Sequence, residues 1–293
     1  MNGILIIDKP SGWTSHDVIA KLRGALRQKR VGHGGTLDPM ATGVLPVFIG
    51  RATRAAEYCE NAEKEYIAGM RLGVVTDTQD ITGSVISRND VSVGSKDLID
   101  VLPRFTGALK QIPPMYSAVK KDGKKLYELA RRGIDVPREA RDISISTLEL
   151  LEGDGSLDIP LRVVCSKGTY IRTLCHDIGA ALGCGATLSS LRRTRAGVYG
   201  IDEAHTLDDV LSTVLTNSVN PLIMPVDSIF SNFPSLEVES SEVFKVKNGA
   251  VCRTQESVEN GRYRVYSQDG EFLVLGDVTY NTKLKTVKSF FEV

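Results

Sequence analysis

No stretch of this 293-residue chain approaches the roughly 18 consecutive apolar residues that a membrane-spanning helix needs. The N-terminus, MNGILIIDKP, reaches an Asp-Lys pair almost at once, which a secretory leader would not do. Cysteine is scarce and unpaired in pattern: Cys59, Cys165, Cys175, Cys184 and Cys252 are odd in number and contain no Cys-x-x-Cys. That excludes a disulfide framework and predicts reduced thiols in a cytoplasmic protein. Aromatic residues make up only 6%, and there is neither an internal repeat nor a low-complexity tract. Net charge is absent as well, at a formal +0, so the chain as a whole has no basic surplus to announce a nucleic-acid partner.

The charges that are present are unevenly placed. Residues 110–146 carry nine Lys/Arg against five acids, and residues 161–200 carry six against one. Residues 201–244 hold eight acids and no Lys or Arg. Opposed blocks of this kind are compatible with a basic face and an acidic back, or with solvated charge unevenly spread.

Period and punctuation outline the elements. GILIID (3–8) reads as a buried strand. Thr14 and Ser15 offer N-caps to a helix whose Val18, Ile19, Leu22, Ala25 and Leu26 share a face. Residues 31–46 read as a loop, 44–50 as a second buried strand and 51–62 as a short helix. EYIAGMRLGV (65–74) alternates, with Tyr66, Ala68, Met70 and Leu72 on one face. A short helix follows at 96–102. Residues 112–133 combine a di-proline, a lysine-rich Asp-Gly turn and a helix stopped by Gly133. Strands start at Ile143 and at Ile159, and Tyr170 to Leu182 is the clearest helix, with a further helix at 207–215. From about Phe233 the texture becomes all-β, and RYRVYSQDGEFLVLGDV (262–278) reads as a hairpin about Asp269-Gly270. The whole predicts an α+β fold with a mostly antiparallel sheet.

Chemistry concentrates in VGHGGTLDPMATGVLP (31–46). As a phosphate cradle it lacks GK[ST], places an aspartate where the anion would lie, and leads into a strand rather than a helix. As a metal site it offers only His33 and Asp38, and the donors Cys165, Cys175, His176 and Cys184 lack ligand spacing. As a stiff mount for one carboxylate it is well made. Pro39 fixes the following φ and biases Leu37-Asp38 away from helix, and Gly34 and Gly35 allow close packing against a bulky ligand. An ordinary Asp-Pro turn fits the same residues, so physics alone leaves both readings open.

GHGGTLDPMATGVLP closely resembles the catalytic motif of the TruB family of tRNA pseudouridine-55 synthases. Four further blocks resemble that family in order: KEYIAGMRLGVVTDTQDITG (64–83), QIPPMYSAVKKDGKKLYELARRG (111–133), CSKGTYIRTLCHDIGAALG (165–183) and LRRTRAG (191–197). The resemblance covers essentially the whole chain. It implies a pseudouridine synthase catalytic domain over 1–232, with an RNA-clamping insertion at about 111–142. It also implies a small all-β PUA-like RNA-binding domain over 233–293, which matches more loosely.

By this resemblance the chain isomerises uridine 55 in the T-loop of tRNA, by base flipping, without cofactor or metal. Asp38 is then the nucleophile; whether it attacks base or sugar, or helps remove a ribose proton, no sequence decides. Arg172 is its partner cation, and Tyr66 stacks on the flipped uracil and takes the C5 proton. Tyr170 and Leu191 line the base pocket, and His33 fills the stack that the base vacates. Lys120, Lys121, Lys124 and Lys125 contact phosphates, which positions RNA without specifying it. Asp80 matches a family acid to which no role is assigned. The resemblance implies tRNA as the partner, no obligate protein partner, a monomer and a cytoplasmic location. The alternative is a non-catalytic tRNA-binding or tRNA-folding protein on the same fold. A glycosidase would need a second positioned carboxylate, for which only Asp80 is at hand.

Overall fold

The structure, a computed structural model, describes residues 1–153, 158–216 and 219–290, so the last three residues of the 233–293 segment lie outside the described residues. A ten-stranded sheet carries the larger part. Its main path runs His205–Thr206, Gly3–Lys9, Thr42–Ile49, Ala186–Ala196, Lys64–Leu72, Asp158–Cys165, Arg141–Leu150 and Gly107–Gln111. Only the pairings of Gly3–Lys9 with His205–Thr206 and of Thr42–Ile49 with Ala186–Ala196 are parallel along this path. The rest are antiparallel, as the strand texture predicts.

Two apolar layers flank this sheet, and the two-residue period of each strand feeds both. Leu5 and Ile7 face one core with Leu45, Val47 and Ile49, whereas Ile4 and Ile6 face the other with Val44 and Phe48. That double burial is why GILIID is apolar at nearly every position. Tyr66, Ala68 and Met70 share the first core, on the face their alternation assigns them. Helix Ile171–Ala181 lays Ile171, Leu174 and Ile178 into the same core, and each such side chain contributes about 1.5–3 kcal/mol of burial.

Helix Ser15–Ala25 opens with a capping box: Asp17 N–H donates to Thr14 Oγ1 at 3.1 Å, and Thr14 N–H donates to Asp17 Oδ2 at 2.9 Å. Two expectations need correction. Val31–His33 is a short strand paired to Thr42–Ile49, because its amides meet the free edge of that strand, so the loop proper spans 34–41. Residues 51–62 are not one helix but a 3-10 turn, Gly50–Ala55, running into Ala56–Asn61.

The C-terminal strands form a separate five-stranded sheet in the order Ser235–Val238, Gly261–Ser267, Phe272–Thr279, Lys283–Ser289, Cys252–Arg253. The Asp269-Gly270 turn joins the second and third, with Gly270 at φ 79°. Val265, Leu273, Val274 and Leu284 fill its own core. Phe272 and Phe290 instead pack on Phe230, with ring centroids 6.1 and 5.4 Å away, which ties this sheet to the second core of the larger part.

Candidate active site

Asp38 sits in the loop that leaves strand Val31–His33, and local bonds hold that loop from several sides. Ser15 Oγ accepts from Leu37 N–H at 2.9 Å and donates to Leu37 O at 3.2 Å. Gly12 N–H donates to Pro39 O at 2.8 Å. Lys9, fully buried, gives its ammonium to the carbonyls of Pro10, Trp13 and Pro39. Burial pulls the Lys9 ammonium down to about 8, against the opposing pull of Asp38. A catalytic carboxylate needs this kind of fixed backbone.

Gly34 of the loop packs against the protein's own core, which corrects the sequence reading for that residue. A Cβ on Gly34 would lie 2.7 Å from Cys59 Cβ and 2.8 Å from the Phe48 ring, so Gly34 is a close contact inside the fold.

Asp38 keeps 36% of its side chain open to a cleft and is otherwise enclosed by protein. Opposite it Arg172, only 5% exposed, enters from the first turn of helix Ile171–Ala181. Its Nε lies 2.9 Å from Asp38 Oδ2 and its Nη2 donates to Oδ1 at 3.4 Å. The contact through Nε is an ion pair without good hydrogen-bond alignment. Burial raises the Asp38 carboxyl above its ordinary range, and Arg172 opposes that rise.

Arg172 is itself fixed by three more acceptors. Nη1 donates to Thr78 O at 3.1 Å and reaches Asp80 Oδ2 at 3.4 Å, and Nη2 donates to Tyr116 O at 2.9 Å. Asp80, 6% exposed, is held in turn: its Oδ1 accepts from Thr78 Oγ1 at 2.9 Å and from Thr82 N–H at 3.0 Å. Gln79 beside it adopts φ 63°, a left-handed backbone that costs about 1–3 kcal/mol in a residue with a Cβ. Such strain is tolerated where surrounding bonds over-determine the turn. So Asp80 orients the cation that faces Asp38, a placement the sequence left without a role.

Tyr66 is buried on the neighbouring strand Lys64–Leu72, and Leu191 lies on Ala186–Ala196 opposite Ala68. Tyr170 caps the helix that carries Arg172, with Gln111 bonding both its N–H (2.8 Å) and its C=O (3.1 Å). Burial raises both phenols, and Asp38 is near enough that its charge adds to the rise of each. His33, half-buried, has its ring edge-on to His16 at 5.6 Å. Burial holds it down to about 4, so it is a neutral, flat side chain at pH 7. The structure thus brings Arg172 onto Asp38 and Asp80 onto Arg172, and sets the phenols of Tyr66 and Tyr170 within reach of the Asp38 charge, while Leu191 is placed only by its strand, opposite Ala68.

Residues 23–171 match the TruB family pseudouridylate synthase (N terminal domain), and residues 172–231 match the tRNA pseudouridylate synthase B C-terminal domain. The chain belongs to the TruB family. The tRNA pseudouridine synthase B of Chromobacterium violaceum is 45% identical over 290 residues, 98% of this chain and 94% of the relative. That of Clostridium kluyveri is 40% identical over 297 residues, 99% of this chain and 100% of the relative. Among solved structures, a chain of a Cbf5-Nop10-Gar1 complex superposes with a TM-score of 0.75 at 30% identity, covering 99% of this chain and 85% of that one.

Lys120, Lys121, Lys124 and Lys125 of this TruB chain form a tiny hairpin that pairs Lys120 with Lys125 and Lys121 with Lys124. Asp122 and Gly123 turn it with φ 50° and 79°. Like charges facing across strands are destabilising without a counter-ion. Lys120 and Lys124 are exposed, but Lys121 donates to Pro137 O at 2.6 Å, and Lys125 bonds Tyr127 Oη at 3.3 Å. A cavity of about 400 Å³ beside the hairpin is lined in part by Lys120, Lys121, Arg138 and Arg141, together with Asp122 and Glu139. The insertion is rooted in the cleft through Gln111 and Tyr116, which touch Tyr170 and Arg172.

LRRTRAG does not present a basic strip to solvent. Arg192 forks onto Asp8, with contacts of 2.7 and 3.1 Å, and Arg193 is buried. Sequence reasoning missed Lys9, Lys64 and Arg193 as interior cations. A charged residue in an alternating strand carries no mark of burial, and only the two-sided burial of these strands betrays them.

Proposed function

We propose that this chain isomerises uridine 55 in the T-loop of tRNA to pseudouridine, with Asp38 as the nucleophile. The observation that carries the reading is Asp38 itself: one carboxylate open to a cleft, braced from behind by a buried guanidinium. In the reaction the C1′–N1 bond breaks, the uracil turns, and a C1′–C5 bond forms as the C5 proton leaves and N1 takes up a proton. Arg172 keeps Asp38 ionised against its burial, and leaves the cleft-facing lone pairs of the carboxylate free. Tyr66 stacks on the flipped uracil and takes the C5 proton, between walls made by Tyr170 and Leu191. His33, neutral and planar, fills the gap left in the T-loop stack, where any flat π surface serves. Flipping itself costs a few kcal/mol of unstacking.

Lys120, Lys121, Lys124 and Lys125 hold phosphates of the T-arm, and the segment 233–293 acts as a PUA-like RNA-binding domain beside the catalytic part, 1–232. The protein works in the cytoplasm as a monomer without an obligate protein partner. Five buried, free cysteines fit a reducing compartment. A tRNA-binding protein without activity would have no use for a solvent-facing carboxylate held by a buried arginine, so no observation favours that reading.

The test is to incubate the protein with unmodified tRNA and map pseudouridine along it. Product at position 55, lost in Asp38→Asn, is expected. Product elsewhere, or an active Asp38→Asn enzyme, would overturn the assignment.

A further inference from the structure

Arg193 heads the fully buried side chains by size and is 1% exposed. It makes no ion pair among the described residues and spends its donors on backbone instead. Nε donates to Val44 O at 2.7 Å and Nη2 to Gly35 O at 3.1 Å. These two carbonyls are the roots of the segment that carries Asp38. Tyr66 stands opposite Arg193 in the antiparallel ladder, so the two side chains are cross-strand neighbours on one face and the guanidinium charge bears on the phenol. On its other side Arg193 pairs with Gly43, where a Cβ would come within 2.1 Å of the Arg193 carbonyl oxygen. The backbone is therefore drawn against the loop as closely as the side chain is.

A buried cation without a carboxylate is costly, and an apolar side chain of similar volume would pack the site more cheaply. The feature that an apolar residue cannot supply is a rigid fork of donors with one fixed charge. We propose that Arg193 is a positioning residue for the isomerisation: its single guanidinium ties down the Asp38 loop and stands beside Tyr66 across the ladder, which holds the two in register. This rests on the roles of Asp38 and Tyr66 proposed above. The nucleophile comes from a loop and the proton acceptor from a strand, and Arg193 bonds the first and stands opposite the second. Its charge also favours the ionised phenol over the neutral one, which suits an oxygen that must accept a proton.

The test places 3,5-difluorotyrosine at position 66 alone, which brings the phenol into a measurable range, and titrates it by fluorine NMR. Arg193→Gln removes the charge, and the acid dissociation constant of the phenol should fall about tenfold or more. Arg193→Lys keeps a charge beside the phenol but cannot reach both roots of the loop, so the dissociation constant should stay within about threefold of wild type. Both variants, with the natural tyrosine, should lose about tenfold or more in single-turnover rate at saturating tRNA, with tRNA affinity within about threefold. A residue that merely supported the fold would instead loosen Tyr66 and let its dissociation constant rise. An unchanged or raised constant in Arg193→Gln overturns the proposal. So does an Arg193→Lys enzyme at wild-type rate, which decides the matter if the glutamine variant does not fold. Tyr66→Phe at wild-type rate would overturn the chemistry assigned to Tyr66, whereas the titration reports the Arg193 contact by itself.

Discussion

The structure divides the four hairpin lysines into two pairs, and if they meet tRNA phosphates as proposed, that division has a measurable size. Lys120 and Lys124 point their ammonium groups at solvent, whereas Lys121 is engaged by the Pro137 carbonyl and Lys125 by the Tyr127 hydroxyl and ring, 5.4 Å away. Each phosphate contact releases about 0.7–0.9 of a counterion, seen as the slope of log affinity against log salt. Removing Lys120 and Lys124 together should therefore flatten that slope by about 1.4–1.8. If the lines for variant and parent meet near 1 M salt, binding at about 0.1 M weakens roughly 25–60-fold. Removing Lys121 and Lys125 should flatten the slope by less than about 0.7, because those ammonium groups must first leave a partner. Filter binding of unmodified tRNA from about 0.05 to 0.5 M potassium chloride, in an Asp38→Asn background to prevent turnover, supplies the slopes. Single-turnover rates of the same lysine variants on an intact Asp38, at saturating tRNA, should stay within about threefold, since none of these side chains enters the cleft. Equal slope changes in the two pairs would refute the division. No change in either would mean that the hairpin is solvated surface.

Three further outcomes follow from the cleft. Because burial holds the Asp38 carboxyl above its ordinary range, the folded protein binds a proton that the unfolded chain releases near pH 3.8, and this costs stability as pH rises through that window. Asp38→Asn, which cannot ionise, should therefore gain in Tm over wild type as pH climbs from about 3.5 to 7.5, and a gap that shrinks over this range would contradict the burial argument. Arg172→Lys should lose at least about tenfold in single-turnover rate with little change in tRNA affinity, because an ammonium cannot span Asp38, Asp80 and the carbonyls of Thr78 and Tyr116; a wild-type rate would dismiss the pairing. His33, held to about 4 when folded against 6.5 in the unfolded chain, should make stability fall as pH drops from 6.5 towards 4, and His33→Gln should remove that part of the slope in urea titrations; an unchanged slope would show that the ring is not desolvated.

Much of this chain is decided locally. The alternation of Tyr66, Ala68 and Met70 assigns their face because successive strand residues point to opposite sides wherever the strand lies. Asp269-Gly270 turns its hairpin because only a glycine or a short polar residue accepts the backbone that the turn needs. The Thr14 and Asp17 pair starts its helix for an equally short-range reason. Around Asp38 the local signal is of the same kind, since Pro39 restricts the backbone and the glycines widen it, but it leaves a carboxylate mount and an ordinary Asp-Pro turn equally open.

The partners of that aspartate were not legible by spacing. Arg172 lies 134 residues from Asp38 and 92 from Asp80, and its helix position would equally suit a surface charge. Lys9, Lys64 and Arg193 sit in strands like any exposed basic residue, and only the stacking of two cores on the two faces of one sheet shuts them in. Which lysines of the clamp remain free also depends on where Pro137 and Tyr127 come to rest. Backbone preference acts over a few residues and can be read along the chain. The pairing and desolvation of charge depend on distances through space, and those exist only after the sheet has closed around them.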